Sequence, residues 1–371
     1  MKLPQIKQTH NPVRLSDNRI RIGTIQYGVG SEITDDEDGT IWQLMKLMDG
    51  TRTIETIVSE MQVVAKIDPE SVRDAINDLI EAGFVEDAGA ELLPELTQDE
   101  LERYSRSAAY FSWIDTNPRN NKYEIQSKLK KAHVTLLGLG GSGSAVAMSL
   151  VAAGVNSLHC VDFDRVELSN LNRQLLYNEK DLNKPKLAQG VHRLQEINSH
   201  VNVTGQELKV QSANDIVPLM KNCDLFILCA DKPQELILQW TNIAAFETKI
   251  PWMMCLYAGP MIVVGIFAPR KTPCYECMKH DENNKNAARD GSETEYLYNM
   301  LDVNAVIAPT ASLTGHLGAL EAIYFLTDLR PQTVGRIFHQ NLMIYDHMYY
   351  IEPPFWAECP VCSDKASHQS N

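Results

Sequence analysis

No apolar run in this 371-residue chain reaches the roughly 20 residues that a membrane-spanning helix needs, and the polar stretch Met1 to Asn11 lacks the apolar segment of a secretory signal. Both absences argue against a membrane protein and predict a cytoplasmic location. Positive charge is scarce as well. Lys and Arg number 34 against 48 Asp and Glu, and residues 1–95 alone carry nine basic against eighteen acidic side chains. A phosphate backbone is repelled by that balance, which excludes nucleic acid as the main partner. Internal repeats and low-complexity tracts are missing too. Eight cysteines in a cytoplasmic chain do not read as a disulfide framework.

What is present is ordinary for a folded protein: 44% apolar and 22% charged residues, with enough length for two domains. In residues 1–95, Arg19 to Ile22 and Thr24 to Tyr27 alternate like exposed strands, punctuated by Gly23, Gly28 and Gly30. Helical stripes follow: Ile41, Leu44, Met45 and Met48; then Ile54, Ile57, Val58 and Met61; then Val72, Ile76, Leu79 and Ile80 behind an Asp68-Pro69 start. Gly83 ends the last stripe and Phe84-Val85 returns as a strand. The order predicts a winged-helix-like α+β module whose helices lack the basic face that DNA binding requires. An acidic stretch, Glu91 to Glu102, reads as a linker into a second domain, residues 96–371. There, strand candidates His133 to Gly138, Ser157 to Asp162, Val201 to Glu207, Asp224 to Cys229 and Pro251 to Leu256 alternate with helical stretches. This βαβ rhythm predicts a doubly wound, mostly parallel Rossmann-like sheet.

Two motifs carry chemistry. Gly138-Leu139-Gly140-Gly141-Ser142-Gly143 lies between a strand and a helix, where glycines let backbone approach a phosphate and the helix N-terminus offers free N–H groups. Asp162 ends the next strand, placed to accept ribose hydroxyls. So far a nicotinamide dehydrogenase reads equally well. The following segment, Asp162 to Gln174 with Lys184-Pro185-Lys186, favours another chemistry. Hydride transfer needs no cations beside the phosphates, whereas cleavage of an α–β phosphate bond does, and Arg173 and Lys186 supply them. Asp231, after the strand ending at Cys229, is a candidate Mg²⁺ ligand or a helix cap. The second motif is Cys274-x-x-Cys277 with Cys359-x-x-Cys362, two thiolate pairs suited to a closed, structural Zn²⁺ site that staples the C-terminal region.

G-x-G-G-x-G, then D-x-D-x-V-x-x-S-N-L-x-R-Q, then K-P-K and a strand-end Asp resemble the MoeB/ThiF/HesA adenylyltransferases of the ubiquitin-activating superfamily, over residues 103–362. The resemblance implies ATP with Mg²⁺ in a homodimer. It puts Gly138, Gly140, Gly141, Gly143, Asp164, Asn170, Arg173, Gln174 and Lys186 around the nucleotide, Asp162 on the ribose and Asp231 on the metal. Arg103-Tyr104-Ser105-Arg106 is similar to a family segment whose second Arg reaches the partner subunit's triphosphate, which makes Arg106 a candidate finger. Ubiquitin-type members use a cysteine before the last large helix. Lys279 to Leu313 contains none, so no enzyme thioester is expected, and Lys279 to Asn304 reads as a loop over the substrate.

The front module, through Trp42, Leu44, Leu47, Asp49, Gly50 and Thr51, resembles PqqD-like elements that bind the leader of a precursor peptide as an added strand. The combined plan is similar to members of the superfamily that modify ribosomally made peptides, as in microcin C7 and pantocin A biosynthesis. It implies adenylation of a peptide carboxylate, with pantocin-type side-chain activation and cyclisation favoured over C-terminal adenylation. A sulfur-carrier adenylyltransferase and a silent leader-binding partner of a cyclodehydratase are the alternatives.

Overall fold

Period-two alternation in Arg19–Ile22 buries Ile20 and Ile22 completely and leaves Arg19 and Arg21 on the outer face, both paired with Glu32 across the sheet. The computed structural model describes residues 1–23, 29–290 and 305–363, and the chain falls into two units, Met1–Lys130 and Lys131–Asn371. The expected strand Thr24 to Tyr27 and its Gly28 lie outside the described residues.

In the front unit, β1 (Pro4–Ile6) pairs antiparallel with β5 (Val85–Asp87), while β2 (Val13–Arg14), β3 (Arg19–Ile22) and β4 (Ser31–Thr34) form an antiparallel sheet with β3 in the middle. Three helices pack on them: α1 (Thr40–Leu47), α2 (Ile54–Ala65) and α3 (Pro69–Glu81). The stripes read from the sequence are the buried ones, with Leu44, Met45, Met48, Ile57, Val58, Met61, Val72, Ile76 and Leu79 in one core. Asp68 caps α3 by accepting from Glu70 and Ser71 N–H, with Pro69 at the first helical position. The acidic stretch expected as a linker is helical from Gln98: α4 (Gln98–Arg103) starts on a complete Thr97–Glu100 capping box. Two more helices, α5 (Ser105–Ile114) and α6 (Glu124–Leu129), complete the unit.

The rear unit is built on eight strands in the order β13-β12-β11-β10-β9-β6-β7-β8. β6 (His133–Leu137), β7 (Ser157–Val161), β8 (Asn202–Gln206), β9 (Leu225–Leu228) and β10 (Trp252–Ala258) run parallel. β9 is apolar at every position and buried throughout, as a central strand covered on both faces must be. β11 (Met261–Phe267), β12 (Ile337–Asn341) and β13 (Met348–Ile351) add antiparallel pairs. The sheet is therefore mixed, with four parallel and three antiparallel strand pairings. The cause is local: Gly259 takes φ +55° and, with Pro260, closes a tight hairpin between Ala258 and Met261, which turns the chain straight back.

Helices α7 (Gly141–Ala153), α8 (Lys186–Ile197), α9 (Ala213–Met220) and α10 (Leu236–Thr248) connect the parallel strands, followed by α11 (Tyr275–Asp290) and α12 (Ala308–Leu326). The segment expected as a loop from Lys279 is helical to Asp290, and its remainder, 291–304, lies outside the described residues. α12 approaches α7 closely enough that a Cβ on Gly315 would sit 2.3 Å from the Ser142 carbonyl oxygen. β6 is the switch point: the chain moves to one side of it for β7 and β8, then to the other for β9 and β10. Crevices at the carboxyl ends of such strands bind ligands. Among the described residues no helix is long and apolar enough to cross a membrane.

Candidate active site

The turn after β6 is shaped by its glycines. Gly138 adopts φ +97°, and a Cβ there would lie 2.7 Å from Ala230 N; a Cβ on Gly143 would lie 1.9 Å from the Gly138 carbonyl oxygen. Both positions exclude any larger residue for internal reasons. Gly140 differs. Its backbone is extended, and a Cβ would meet nothing nearer than Gln174 Nε2 at 3.9 Å. The protein itself leaves this face open, as a site for close approach of a phosphate requires.

Around that opening the structure gathers most of the residues singled out from sequence. Asp162 is buried at the end of β7; one carboxylate oxygen accepts from Leu139 N–H at 2.7 Å and the other from Asp164 N–H at 2.8 Å. Burial is the largest influence on it and pushes its carboxyl above the usual range, against Lys186 and the backbone donors that pull it down. Each oxygen keeps a further lone pair for a hydroxyl. Lys186, first residue of α8, is buried with its ammonium 3.0 Å from the exposed Asp164 carboxylate. Asn170 is buried and its carbonyl accepts from Glu167 N–H at 3.1 Å, so it shapes the segment that carries the next two residues. Arg173 lies against the turn, its Cγ 3.5 Å from where a Cβ of Gly141 would be. It holds Ser169 O and Asn172 Oδ1 through one guanidinium nitrogen, while its Nε is buried without a partner. Gln174 is buried beside it with Oε1 equally unpartnered. Unpaired buried polar atoms are costly, and these two belong to side chains that line the turn, Gln174 at Gly140 and Arg173 at Gly141. The set fits a polyanionic ligand bearing both donors and acceptors.

Asp231 is exposed, one residue past the Ala230 backbone on which Gly138 abuts. Arg106 lies on α5 of the front unit, exposed. Two residues that sequence reasoning passes over also reach the turn: the hydroxyls of Tyr177 and Ser144 both donate to the Leu139 carbonyl at 3.1 Å. No spacing rule marks Tyr177, whose role depends on where the Asn170–Tyr177 segment folds back; Ser144 is local, five residues after Leu139 in the first turns of α7.

The four motif cysteines meet on their own. Cys274, Cys277, Cys359 and Cys362 place their sulfurs within 4.8 Å of one another, with separations of 3.9, 3.6 and 3.4 Å for Cys274–Cys277, Cys274–Cys359 and Cys277–Cys362. A tetrahedral ion with metal–sulfur bonds of about 2.3 Å puts sulfurs about 3.8 Å apart, so the quartet fits a metal. Trp356 N–H donates to the Cys277 sulfur at 3.5 Å, and the Trp356 ring stacks on His280 at 3.9 Å. Three of the other cysteines, Cys160, Cys223 and Cys255, are buried and not nucleophiles in waiting. Burial raises the Cys160 thiol to about 12 and the Cys223 thiol to about 11, and Cys255 is raised by its hydrogen bond with Cys229 and then by burial.

Comparison with known proteins agrees with this geometry. Residues 104–364 match the sequence model of the ThiF family. The molybdopterin-synthase adenylyltransferase of Escherichia coli K12 is 29% identical over 279 residues, 73% of this chain and 99% of that one. Among solved structures, Escherichia coli MccB with AMPCPP and MccA superposes with a TM-score of 0.76 at 22% identity, over 98% of this chain and 100% of that one. PaaA superposes with a TM-score of 0.71 at 25% identity, over 94% and 99%. A nucleotide-shaped turn flanked by two cations, in a chain matched by this family over most of its length, has one reading: the protein belongs to the ThiF family and is an ATP-dependent adenylyltransferase.

Proposed function

We propose that this adenylyltransferase activates the C-terminal carboxylate of a ribosomally made precursor peptide, captured through its leader by the front unit. The observation that carries the reading is whole-chain: the likeness to MccB, solved with both AMPCPP and MccA, spans 98% of this chain and 100% of that one. The molybdopterin-synthase relative accounts for only 73% of the chain. The likeness to PaaA is somewhat lower in both TM-score and coverage, so the C-terminal reaction replaces side-chain cyclisation as the favoured one.

In this reading the front unit is a winged-helix-like leader clamp. β4 lies at the edge of its sheet, and an edge strand offers unpaired backbone groups to an added strand. In the rear unit, Asp162 takes the ribose and the Gly138–Gly143 turn takes the phosphates. Arg173 and Lys186 offset the charge that grows as the peptide carboxylate attacks the α-phosphorus and pyrophosphate departs. Asp231 supplies an oxygen ligand for Mg²⁺, which would neutralise phosphate charge. The cysteine quartet holds Zn²⁺ as a structural ion. Arg106 acts on the partner subunit's nucleotide in a homodimer. With Cys160, Cys223 and Cys255 buried, four thiols in the quartet and no cysteine between Lys279 and Leu313, the chain performs no thioester step.

The test uses the product of any short reading frame found beside the gene, with a free C-terminus and as its C-terminal amide. AMP formation with the free peptide and none with the amide supports the reading. Equal rates with both move the chemistry to a side chain. Activity only with a folded carrier protein ending in Gly-Gly assigns the enzyme to sulfur transfer.

A further inference from the structure

The nucleotide turn holds one peptide group whose orientation the glycines do not determine. Between Leu139 and Gly140 the peptide is planar and trans, so the Leu139 carbonyl and the Gly140 N–H point in opposite directions. The Leu139 carbonyl accepts two side-chain hydroxyls, Tyr177 Oη and Ser144 Oγ, each at 3.1 Å and each classed among buried groups. Leu139 N–H is bound to Asp162 at 2.7 Å, so both ends of the residue are fixed. The Gly140 N–H, in contrast, makes no hydrogen bond among the described residues. A Cβ on Gly140 would meet nothing of the protein nearer than Gln174 Nε2 at 3.9 Å, so the turn has room for a ligand at this residue.

We propose that Tyr177, together with Ser144, is a positioning residue that sets the Leu139–Gly140 peptide so that its N–H, and not its carbonyl, meets the nucleotide phosphate. This deepens the nucleotide-site reading above and rests on it. Flexible glycine on one side leaves the peptide free to rotate by concerted change of ψ139 and φ140, and a rotated peptide would present its carbonyl oxygen to an anion. Two hydroxyl donors on the opposite face oppose that rotation. Tyr177 follows Arg173 and Gln174 by three to four residues, so the same short segment delivers a phosphate cation and the lock on the turn. Burial holds the phenol well above its ordinary pKa, so it remains a donor throughout the working pH range.

The experiment compares Tyr177→Phe, Ser144→Ala and the double variant for binding of ATP, AMP and adenosine by calorimetry, with peptide-dependent AMP formation measured alongside. Each single variant keeps one donor and weakens ATP and AMP binding about threefold; the double variant weakens both about tenfold or more. Adenosine, which has no phosphate, binds all variants equally. The ATP KM rises while kcat changes little, because the N–H contacts the phosphate before and during reaction. A purely structural role would weaken adenosine together with ATP. Wild-type ATP affinity in the folded double variant, or parallel loss for ATP and adenosine, overturns the proposal. Where the double variant does not fold, the ATP-to-adenosine ratio in Tyr177→Phe decides. Gly140→Ala separates this proposal from its foundation: if that variant binds ATP normally, the turn is not the nucleotide site at all, whereas loss in Gly140→Ala beside unchanged Tyr177 and Ser144 variants removes only the lock.

Discussion

The cysteine quartet and the glycine turn sit in the same unit and are built on opposite plans. The quartet is closed: four sulfurs lie within 4.8 Å of one another, and a backbone N–H and an aromatic stack support it from outside. The turn is open: Gly140 faces no protein atom closely, while Arg173 Nε and Gln174 Oε1 are buried and unpartnered. A site that satisfies itself holds structure. A site with unmet donors and acceptors is shaped for something that arrives and leaves.

That contrast can be broken in several ways. Cys274→Ser removes one ligand of a metal staple and should cost roughly 4 kcal/mol or more of stability, read as a lowered thermal midpoint, with ATP affinity of the folded protein changed by less than about twofold. A chelator should act on wild type in the same direction. Lys186→Ala should do the reverse: stability near wild type and turnover down about a hundredfold or more, with ATP still bound. Gly140→Ala sharpens the point at a single carbon. An extended backbone accepts alanine and no clash arises, so stability should hold, while the methyl enters the phosphate's space and ATP affinity falls about tenfold. Gly143→Ala, 1.9 Å from the Gly138 carbonyl, should instead disrupt the fold. The smallest effect belongs to the front unit. Free leader peptide added to intact enzyme should raise the apparent KM for precursor about threefold at a concentration twice its Kd, and leave the ATP KM untouched.

Much of this was legible from sequence because local and tertiary signals agree there. The apolar strand into glycines gives β6 and α7, the helical stripes give α1 to α3, and C-x-x-C spacing gives the quartet. Where reading failed, the signals were short or mixed. β13 is a four-residue aromatic edge strand with three residues exposed, indistinguishable from loop by period. β1 is three residues long and acquires its identity only by pairing with β5, eighty residues away. The antiparallel return after β10 was readable in Gly259-Pro260, and the start of α4 in Thr97-x-x-Glu100, yet an acidic composition outweighed the cap. Tyr177 was beyond reach for another reason: a hydroxyl's role on a carbonyl 38 residues away leaves no periodic trace.

The most direct measurement runs three proteins side by side at one temperature below the unfolding midpoint of the least stable: wild type, Lys186→Ala and Cys274→Ser, each given ATP and the same precursor peptide, with AMP formation as readout. The account predicts wild-type rates from folded Cys274→Ser and loss of about a hundredfold or more from Lys186→Ala. Undiminished AMP formation by Lys186→Ala, or a folded but inactive Cys274→Ser chain, would contradict the division between an open chemical site and a closed structural one.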